Sequence, residues 1–217
     1  MILYGHPFSS YTWKAAIALD EKGLDYAFRM LGPDQPEHSA ELTAIWPPAK
    51  FPVLVDGDRS AIESSIIIEH LDLHHPGPRL IPSDPAEALH VRFMDRVFDN
   101  HVMANMQAVV NEHLPFITPT PDADRIARAK AALAVIYRWL DAHLAASDWS
   151  CGDAFSMADC AAAPSLFYAD WVHPIAAEHD RLRAYRARLL ARPSVARAVD
   201  GARPYRDYWP LGPIDRD

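Results

Sequence analysis

Apolar residues recur at two different spacings along the chain, and the spacing changes near residue 78. In the first part, MILYG, LDYAFRML and FPVLVDGDRSAI are short apolar runs bounded by turn residues, which predict two strands and a hairpin. SYTWKAAIALDEKG and ESSIIIEHLDLHH repeat apolar residues at helical spacing, and PEHSAELTAIWPP is a short helix or a loop. The predicted order is therefore β-α-β-α-β-β-α.

Beyond a proline-rich stretch, PGPRLIPSDPAE, the strand pattern ends and only helical patterns remain. A long helix is predicted over 84–113, with an apolar stripe formed by Leu89, Phe93, Val97, His101 and Ala104. Further helices are predicted at 122–146, 156–172, 178–192 and 194–201. The chain is thus expected to form an α/β domain at residues 1–78, a linker at 79–86 and an all-α domain at 87–217.

The composition restricts the classes of function. The 217 residues are 50% hydrophobic and 23% charged, which is typical of a globular protein with a sizeable core. A net charge of −8 argues against nucleic-acid binding. No apolar run is long enough to span a membrane, no signal peptide is evident, and two cysteines cannot form a disulfide framework. We therefore expect a cytoplasmic protein that acts on neither nucleic acid nor membrane.

Three short stretches carry candidate chemistry, and each has an ordinary structural explanation as well. In KFPVLVD, Pro52 enters an apolar run, where a cis peptide bond would preserve the strand, although trans is the commoner form. In AIESSIIIEHL, Ser64 starts a helix whose first N–H groups are either capped locally or bind a carboxylate. In HPFSSYTWK, Ser9, Ser10 and Tyr11 either begin a helix or place a hydroxyl for chemistry.

Taken together, the motifs resemble one family. KFPVLVD, AIESSIIIEHL, FSMADCAAAP and ARPSVARAV occur in the order and spacing of the cytosolic glutathione transferase superfamily, across nearly the whole chain. The resemblance implies a thioredoxin-like N-terminal domain followed by an all-α helical domain. It also implies glutathione as co-substrate, a hydrophobic small-molecule electrophile as second substrate, and a homodimer.

The resemblance also implies where glutathione binds. The residue matching Pro52 is cis in the family, and its neighbour, matching Val53, pairs by its backbone with the cysteinyl part. Residues matching Glu63 and Ser64 bind the γ-glutamyl end, whereas positions matching His38 and Lys50 contact the glycyl end. The implied glutathione-binding residues are His38, Lys50, Phe51, Pro52, Val53, Glu63 and Ser64.

The hydroxyl-rich stretch SSYTWKAAIAL resembles SSCSWRVRIAL of the zeta class, whose known activity is maleylacetoacetate isomerisation. The alignment places Ser9 on the serine that activates glutathione in the serine-type classes, with Ser10 and Tyr11 as alternatives. The catalytic tyrosine of the tyrosine-type classes would fall at Gly5, and redox chemistry needs a thiol that this stretch lacks. We therefore expect a serine-type transferase in which Ser9 donates a hydrogen bond to the glutathione thiolate.

The second substrate is expected between the two domains. The candidate residues are Phe8, Phe98, His101 and Asn105, and the alternative for Phe98 is the helical core or a dimer interface. The tail PYRDYWPLGP either covers the site or packs on the body. No metal is predicted, because His70 and His74 have ligand spacing on a helix but the sequence shows no third ligand.

Two other functions remain open. A glutathione-dependent cis-trans isomerase of a maleyl-type diacid would need cationic groups in the second site, for which Arg92 and Arg96 are available. A glutathione-binding or partner-binding protein without turnover would have the same fold, since fold does not determine function. Turnover of an aryl halide and isomerisation of a cis-diacid distinguish the three.

Overall fold

A four-stranded sheet forms the first part of the molecule in the computed structural model, which describes residues 1–144 and 147–217. The strands are β1 (Ile2–Gly5), β2 (Ala27–Met30), β3 (Val53–Asp56) and β4 (Arg59–Ile62), in the spatial order β2-β1-β3-β4. β1 is parallel to β2, whereas β3 is antiparallel to both β1 and β4. Helices α1 (Ser10–Glu21), α2 (Pro36–Ile45) and α3 (Ser64–His74) complete the predicted order.

The described chain beyond the linker is helical, which confirms the predicted fold class. Its helices are α4 (Pro85–Val97), α5 (Ala104–Glu112), α6 (Ala123–His143), α7 (Met157–Val172), α8 (Asp180–Ala191) and α9 (Pro193–Ala202). The end of the helix predicted at 122–146 lies outside the described residues. None of the helices described is both long enough and apolar enough to cross a membrane.

The long helix predicted over 84–113 is interrupted by a π-helical segment, Phe98–Met103, between α4 and α5. A π-turn contains an extra residue, so it rotates the following positions away from a regular 3.6-residue pattern. The predicted apolar stripe is wrong for this helix. Leu89 is 67% and Phe93 49% exposed, and of the stripe only Val97 is buried.

Helix α7 lies in the core of the helical part and is buried along nearly its whole length. A capping box is present at its start, where Asp159 accepts the Ser156 N–H at 2.8 Å. Trp13 of α1 packs against Phe167 and Tyr168 of α7, with ring centroids 4.9 and 5.3 Å apart. This contact fixes the first helix, and with it the hydroxyl-rich stretch, against the helical part.

The proline-rich linker follows a fixed path because α3 binds it. Asp72 accepts the N–H groups of Leu80 and Ile81 at 3.0 and 2.8 Å, and it pairs with the buried Lys22 at 2.8 Å. Leu80 and Ile81 are themselves buried. The linker therefore belongs to the packed interior between the sheet and the helices.

The C-terminal tail packs on the body, which is the second of the two alternatives expected for it. Trp209 is buried against Tyr168 and Trp171, at centroid distances of 6.0 and 5.1 Å. Tyr205, in a 3₁₀ turn at Arg203–Tyr208, meets His6 edge-on at 4.7 Å. The tail thus supports the loop that leads into α1.

Both cysteines are free thiols in the helical part. Cys160 has no exposed surface, and burial raises its pKa well above the ordinary value. Burial also raises the pKa of Cys151 to about 12. Neither thiol is therefore ionised to a useful degree at neutral pH.

Candidate functional site

A cavity of about 700 Å³ lies between the amino end of α3 and the side of α4. Six of the predicted site residues line it: Tyr11, Lys50, Phe51, Pro52, Glu63 and Ser64. The helical part contributes Arg92, Arg96, Asn100 and Gln107. The structure therefore brings most of the predicted glutathione-binding residues together, and faces them with polar side chains rather than the apolar ones expected.

The loop before α1 is held in place by the helical part. Tyr168 of α7 donates its hydroxyl to the Phe8 carbonyl at 3.0 Å. Ser9 is the N-cap of α1, and its Oγ accepts the Thr12 N–H at 3.4 Å. This bond uses a lone pair of the oxygen, so the hydroxyl proton of Ser9 remains available to a ligand. Ser9 itself is not among the residues that line the cavity, whereas Tyr11, two residues further along the chain, lines it.

Gly5 occupies the position at which a tyrosine-type enzyme would have its catalytic tyrosine. A Cβ atom at Gly5 would lie 2.6 Å from the Thr12 side chain, so no larger residue fits without a shift of α1. The neighbouring Tyr4 points to the other side of the sheet, as alternation along β1 predicts. Its hydroxyl donates to Glu41 at 2.9 Å. β1 therefore places no phenol in the cavity, since Gly5 has no side chain and the Tyr4 hydroxyl is bonded to Glu41.

Tyr11 presents a neutral phenol to the cavity. Burial raises its pKa to about 12, the carboxylate of Asp99 adds to the increase, and Arg96 opposes it. The phenol keeps its proton throughout the physiological range, so it can donate a hydrogen bond but does not act as a base. Tyr11 is therefore the alternative to Ser9 as a donor to a bound thiolate, and Ser10, which is buried, is not in the cavity lining.

The amino end of α3 suits an anionic ligand. The first bond of this helix runs from the Ile67 N–H to the Glu63 carbonyl at 2.8 Å, so the N–H groups of residues 64–66 precede the hydrogen-bonded ladder. Such N–H groups bind carboxylates readily. Glu63 has φ = 73°, a left-handed conformation that costs a non-glycine residue roughly 1–3 kcal/mol.

The segment before β3 passes through a cis Phe51–Pro52 peptide bond, the form that the family resemblance implies. Phe51 lines the cavity and precedes the strand. Val53 is completely buried and pairs with Tyr4 of β1 and Ile62 of β4. Val53 thus lies inside the sheet and outside the cavity lining, and of the two neighbours of Pro52 it is Phe51 that lines the cavity.

A cluster of charges lies beside the cavity, where α1, α3 and α4 meet. The ammonium of Lys14, which is 1% exposed, lies 2.6 Å from Asp95 and 2.8 Å from Asp99. Arg96 contacts the same two carboxylates at 2.5 and 2.7 Å. Ser65 accepts from Lys14 and donates to Asp95, both at 2.8 Å. Two positive and two negative charges thus compensate one another and hold α1 against α4, and Ser65 joins α3 to them.

His38 is not at the cavity, in contrast to the sequence prediction. Its Nδ1 lies 2.8 Å from the Met30 carbonyl, and its Nε2 lies 3.2 Å from the Arg29 guanidinium. Both ring nitrogens are therefore engaged in linking α2 to the end of β2. The loop before α2 sets this position, and its length is not evident from a short motif.

The four residues predicted for the electrophile site also lie outside the cavity lining. Phe98 is completely buried in the core, with Tyr185 at a centroid distance of 6.4 Å. His101 is exposed, and its carbonyl accepts from the Asn105 amide at 2.7 Å. Phe8 packs edge-on against Tyr168 at 5.4 Å. The π-helical segment contains Phe98 and His101, so a regular helical pattern assigns both the wrong direction.

The polar residues that the helical part contributes were not all predicted. Arg92 and Arg96 were considered only for the isomerase alternative, and Asn100 and Gln107 were missed. A signal was present in the sequence, because Arg92, Arg96 and Asn100 are spaced four residues apart and so share one side of a helix. The residues predicted for the second site, Phe8, Phe98, His101 and Asn105, stand at other positions.

Comparisons with known protein families agree with this architecture. Residues 3–79 match the family described as glutathione S-transferase, N-terminal domain. Residues 123–188 match glutathione S-transferase, C-terminal domain. The two matches lie on the sheet-containing part and on the helical part, respectively.

Individual relatives cover almost the whole chain. A probable maleylacetoacetate isomerase of Vibrio cholerae is 29% identical over 94% of this chain and 97% of the relative. Glutathione S-transferase 3 of Zea mays is 29% identical over 91% of this chain and 92% of the relative. The crystal structure of a glutathione S-transferase from Methylobacillus flagellatus with glutathione bound has a TM-score of 0.79 and 26% identity, and covers 91% of this chain and 98% of that one.

Proposed function

The chain belongs to the glutathione S-transferase family, and we propose that it activates glutathione as a thiolate for attack on an electrophile. The observation that supports this most is the cavity itself. In it, Tyr11 at the start of α1, the cis Phe51–Pro52 segment and the amino end of α3 face one another. These are three different kinds of binding group, and each suits a different part of an extended tripeptide.

Glutathione is proposed to lie across these groups with its γ-glutamyl end at α3 and its glycyl end at Lys50. Its γ-glutamyl carboxylate meets Ser64 and the first N–H groups of α3, and the carboxylate of Glu63 compensates the neighbouring ammonium group. The backbone of Phe51 pairs with the cysteinyl residue. Lys50 lies at the same end of the cavity and supplies a positive charge for the glycyl carboxylate.

Activation of the thiol requires little energy. A thiol of ordinary pKa is ionised to only about 3% at pH 7, and lowering its pKa by about two units requires roughly 2.7 kcal/mol. One hydrogen bond to a charged group contributes about 1.5–3 kcal/mol. The amino end of α1 adds about 0.3–1 kcal/mol. A single hydroxyl at this helix end is therefore sufficient, and we propose that of Ser9.

The test is the ultraviolet difference spectrum of bound glutathione as a function of pH, which reports its thiolate. In the wild type we expect a thiolate band that titrates well below pH 8. In Ser9→Ala the band should move to higher pH by roughly one to two units, because the lost hydrogen bond is worth about 1.5–3 kcal/mol. Ser60→Ala, on the exposed part of β4, is the matched control.

Three results would change the assignment. A band that is lost in Tyr11→Phe but survives in Ser9→Ala would transfer the role to Tyr11. A band that shifts in Ser60→Ala as well would mean that the effect is not specific to the site. Glutathione that binds without any thiolate band would favour a binding protein without turnover.

A glutathione-dependent isomerase is the second candidate, because Arg92 and Arg96 line the cavity and could bind the carboxylates of a diacid. Arg92 is the better choice for a test, since among the described residues its side chain bonds to Glu69 alone, at 2.8 and 3.0 Å. If the substrate is a cis-diacid, Arg92→Met should raise its KM by roughly tenfold or more. Turnover of a neutral aryl halide should not change, and a wild type that fails to isomerise the diacid would eliminate this candidate.

The exposed apolar residues of α3, α4 and α6 support a homodimer. Leu89 and Phe93 of α4 are the exposed residues noted above, and Phe93 meets the partly exposed Trp139 of α6 at a centroid distance of 6.2 Å. The Arg92–Glu69 pair joins this surface to α3. Such a contiguous apolar surface favours association, and light scattering of the purified chain measures whether its mass is twice 24.3 kDa.

A further inference from the structure

Three metal-binding side chains meet at the carboxyl end of α3, the end opposite Ser64. His70 belongs to α3, His75 is the residue that ends it, and Asp56 is the last residue of β3. The Nε2 atoms of His70 and His75 lie 2.9 and 2.6 Å from the same oxygen, Oδ2 of Asp56. We propose that Asp56, His70 and His75 bind one divalent transition-metal ion of the zinc type.

The donor set and its dimensions fit such an ion. Two imidazole nitrogens and one carboxylate oxygen are typical zinc ligands, and here all three lie within 4.8 Å of one another. Zinc binds these atoms at about 2.0–2.2 Å in a tetrahedron, which places neighbouring ligand atoms roughly 3.3 Å apart. The contacts to Asp56 therefore need to lengthen by only about half an ångström, which small side-chain rotations provide. As the metal binds, the proton on Nε2 of each imidazole would move to Nδ1, so that the Nε2 lone pair of the neutral ring faces the ion.

The backbone already holds the three ligands in position. Asp56 is paired with Arg59 across the β3–β4 hairpin. The N–H of His75 bonds to the carbonyl of Leu71 at 3.0 Å, and Leu71 is completely buried. Metal binding would therefore cost little conformational entropy in the backbone of the three ligands.

The cluster is also accessible. The side chains of His70, Asp56 and His75 are 11%, 19% and 21% exposed. This leaves an entry path from solvent and room for a water molecule as the fourth ligand. A three-ligand site with one open position is a regular form of zinc site.

The sequence suggested a different pair, His70 and His74, and lacked a third ligand. In the structure the ring of His74 lies 4.5 Å from that of His70 but belongs to no three-ligand group among the described residues. The missing ligand comes from a strand, 14 residues before His70. Such a partner is visible only after β3 and α3 have been packed together.

The proposed site stands apart from the glutathione chemistry, although three protein ligands and an open position are the form that catalytic zinc sites have. His70 follows Ser64 by six residues and His75 by eleven, so the site lies roughly 9–16 Å along the helix axis from the glutathione end at about 1.5 Å per residue. A bound ion would join β3 to the end of α3 and so resist unfolding of the sheet-containing part. We therefore expect zinc to raise the thermal midpoint without being needed for glutathione binding.

The test uses the full chain without a histidine tag, stripped of metal by a chelator and titrated with Co²⁺ and then with Zn²⁺. Co²⁺ should give a visible absorption band that saturates at one ion per chain, and Zn²⁺ should displace it and raise the thermal midpoint. His70→Ala and His75→Ala should each weaken binding at least tenfold. Asp56→Asn should do the same, and it keeps an acceptor oxygen for the two histidines, so the fold is retained.

Two control variants make the assignment specific. His90→Ala removes an exposed histidine of α4 that lies near His143, the other histidine pair in the described helices that could attract a metal. It should leave the Co²⁺ band unchanged. A loss in His90→Ala, or a loss in His74→Ala with none in Asp56→Asn, would overturn the proposed ligand set. Absence of saturable binding in the wild type would overturn the site altogether.

Discussion

The two walls of the cavity are built from different chemical groups. On one side, the amino end of α3 and the cis Phe51–Pro52 segment present main-chain groups. On the other side, α4 and the π-helical segment present the charged and polar side chains of Arg92, Arg96 and Asn100. Main-chain groups are the same whatever the sequence, whereas a wall of side chains changes with every substitution. The first suits a ligand recognised as a peptide, and the second a ligand recognised by its charged or polar groups.

The walls also differ in how they are stabilised. The main-chain wall contains strain, because Glu63 is held in a left-handed conformation. The side-chain wall rests on the balanced charges of Lys14, Asp95, Asp99 and Arg96. Substitutions in the first wall should therefore affect ligand binding more than stability, and substitutions beneath the second should do the reverse.

The largest effect is expected from Lys14→Met, which removes a buried cation beneath the side-chain wall. Asp95 and Asp99 would then keep only Arg96 as a charged partner, and loss of one member of a buried ion pair costs about 3–5 kcal/mol. Urea unfolding measures the free energy. Lys130→Met on α6 is the control and should stay within about 0.5 kcal/mol. A loss below about 1 kcal/mol for Lys14→Met would contradict the role of the cluster.

An intermediate effect is expected from Glu63→Gly. This substitution should raise the stability of the fold and weaken the binding of glutathione. Glu63→Gly removes strain of roughly 1–3 kcal/mol against a glycine entropy cost of about 0.5–1 kcal/mol. The net gain in stability should be about 1 kcal/mol, while glutathione binds about tenfold more weakly or worse. Glu63→Gln keeps the strain and loses the charge, so it should weaken binding, measured by calorimetry, with no gain in stability. Equal stability of the two variants would show that the conformation is not strained.

The smallest effect is expected from the surface pair of Glu69 and Arg92 on the side-chain wall. The hydrogen bonds from Arg92 lower the pKa of the Glu69 carboxyl. A carboxyl whose pKa is lower in the folded state stabilises the fold above its unfolded pKa of about 4.3, and this contribution is lost as the pH falls through the folded pKa. Because both side chains are partly exposed, it amounts to less than about 1 kcal/mol.

The measurement for this pair is the difference in unfolding free energy between the wild type and Arg92→Met at several pH values. The difference should be present at pH 7 and disappear in acid, below about pH 4. A difference that persists in acid would assign the stabilisation to packing of the arginine side chain instead of the ion pair.

The main-chain wall could be predicted from sequence because its signals are local. A proline entering an apolar run and a serine at a helix start each determine their own surroundings, so Pro52 and Ser64 were placed correctly at the cavity. Val53 is the exception: Phe51 and Val53 were both predicted as glutathione-binding residues, and of the two Phe51 lines the cavity. Which neighbour of the proline remains outside the sheet depends on where β3 begins to pair with β1, and that is a property of the whole sheet.

The side-chain wall could not be predicted in the same way. Its residues stand on a long helix whose phase changes at Phe98–Met103, and a regular 3.6-residue pattern cannot anticipate that change. Phe98 was a candidate for the second site with the helical core as its alternative, and it lies in the core. Lys14 is a further case, since its three partners belong to α3, α4 and the π-helical segment.

Burial makes the two cysteine thiols poor nucleophiles toward electrophiles, because it raises the pKa of both. With a pKa of about 12 for Cys151, roughly one such thiol in 10⁵ is ionised at pH 7. A small-molecule thiol of ordinary pKa is ionised to about 3%, a fraction more than a thousandfold larger. Under the proposed function, the glutathione thiolate is therefore more reactive toward an electrophile than either cysteine. We expect both cysteines to react slowly with electrophiles at neutral pH.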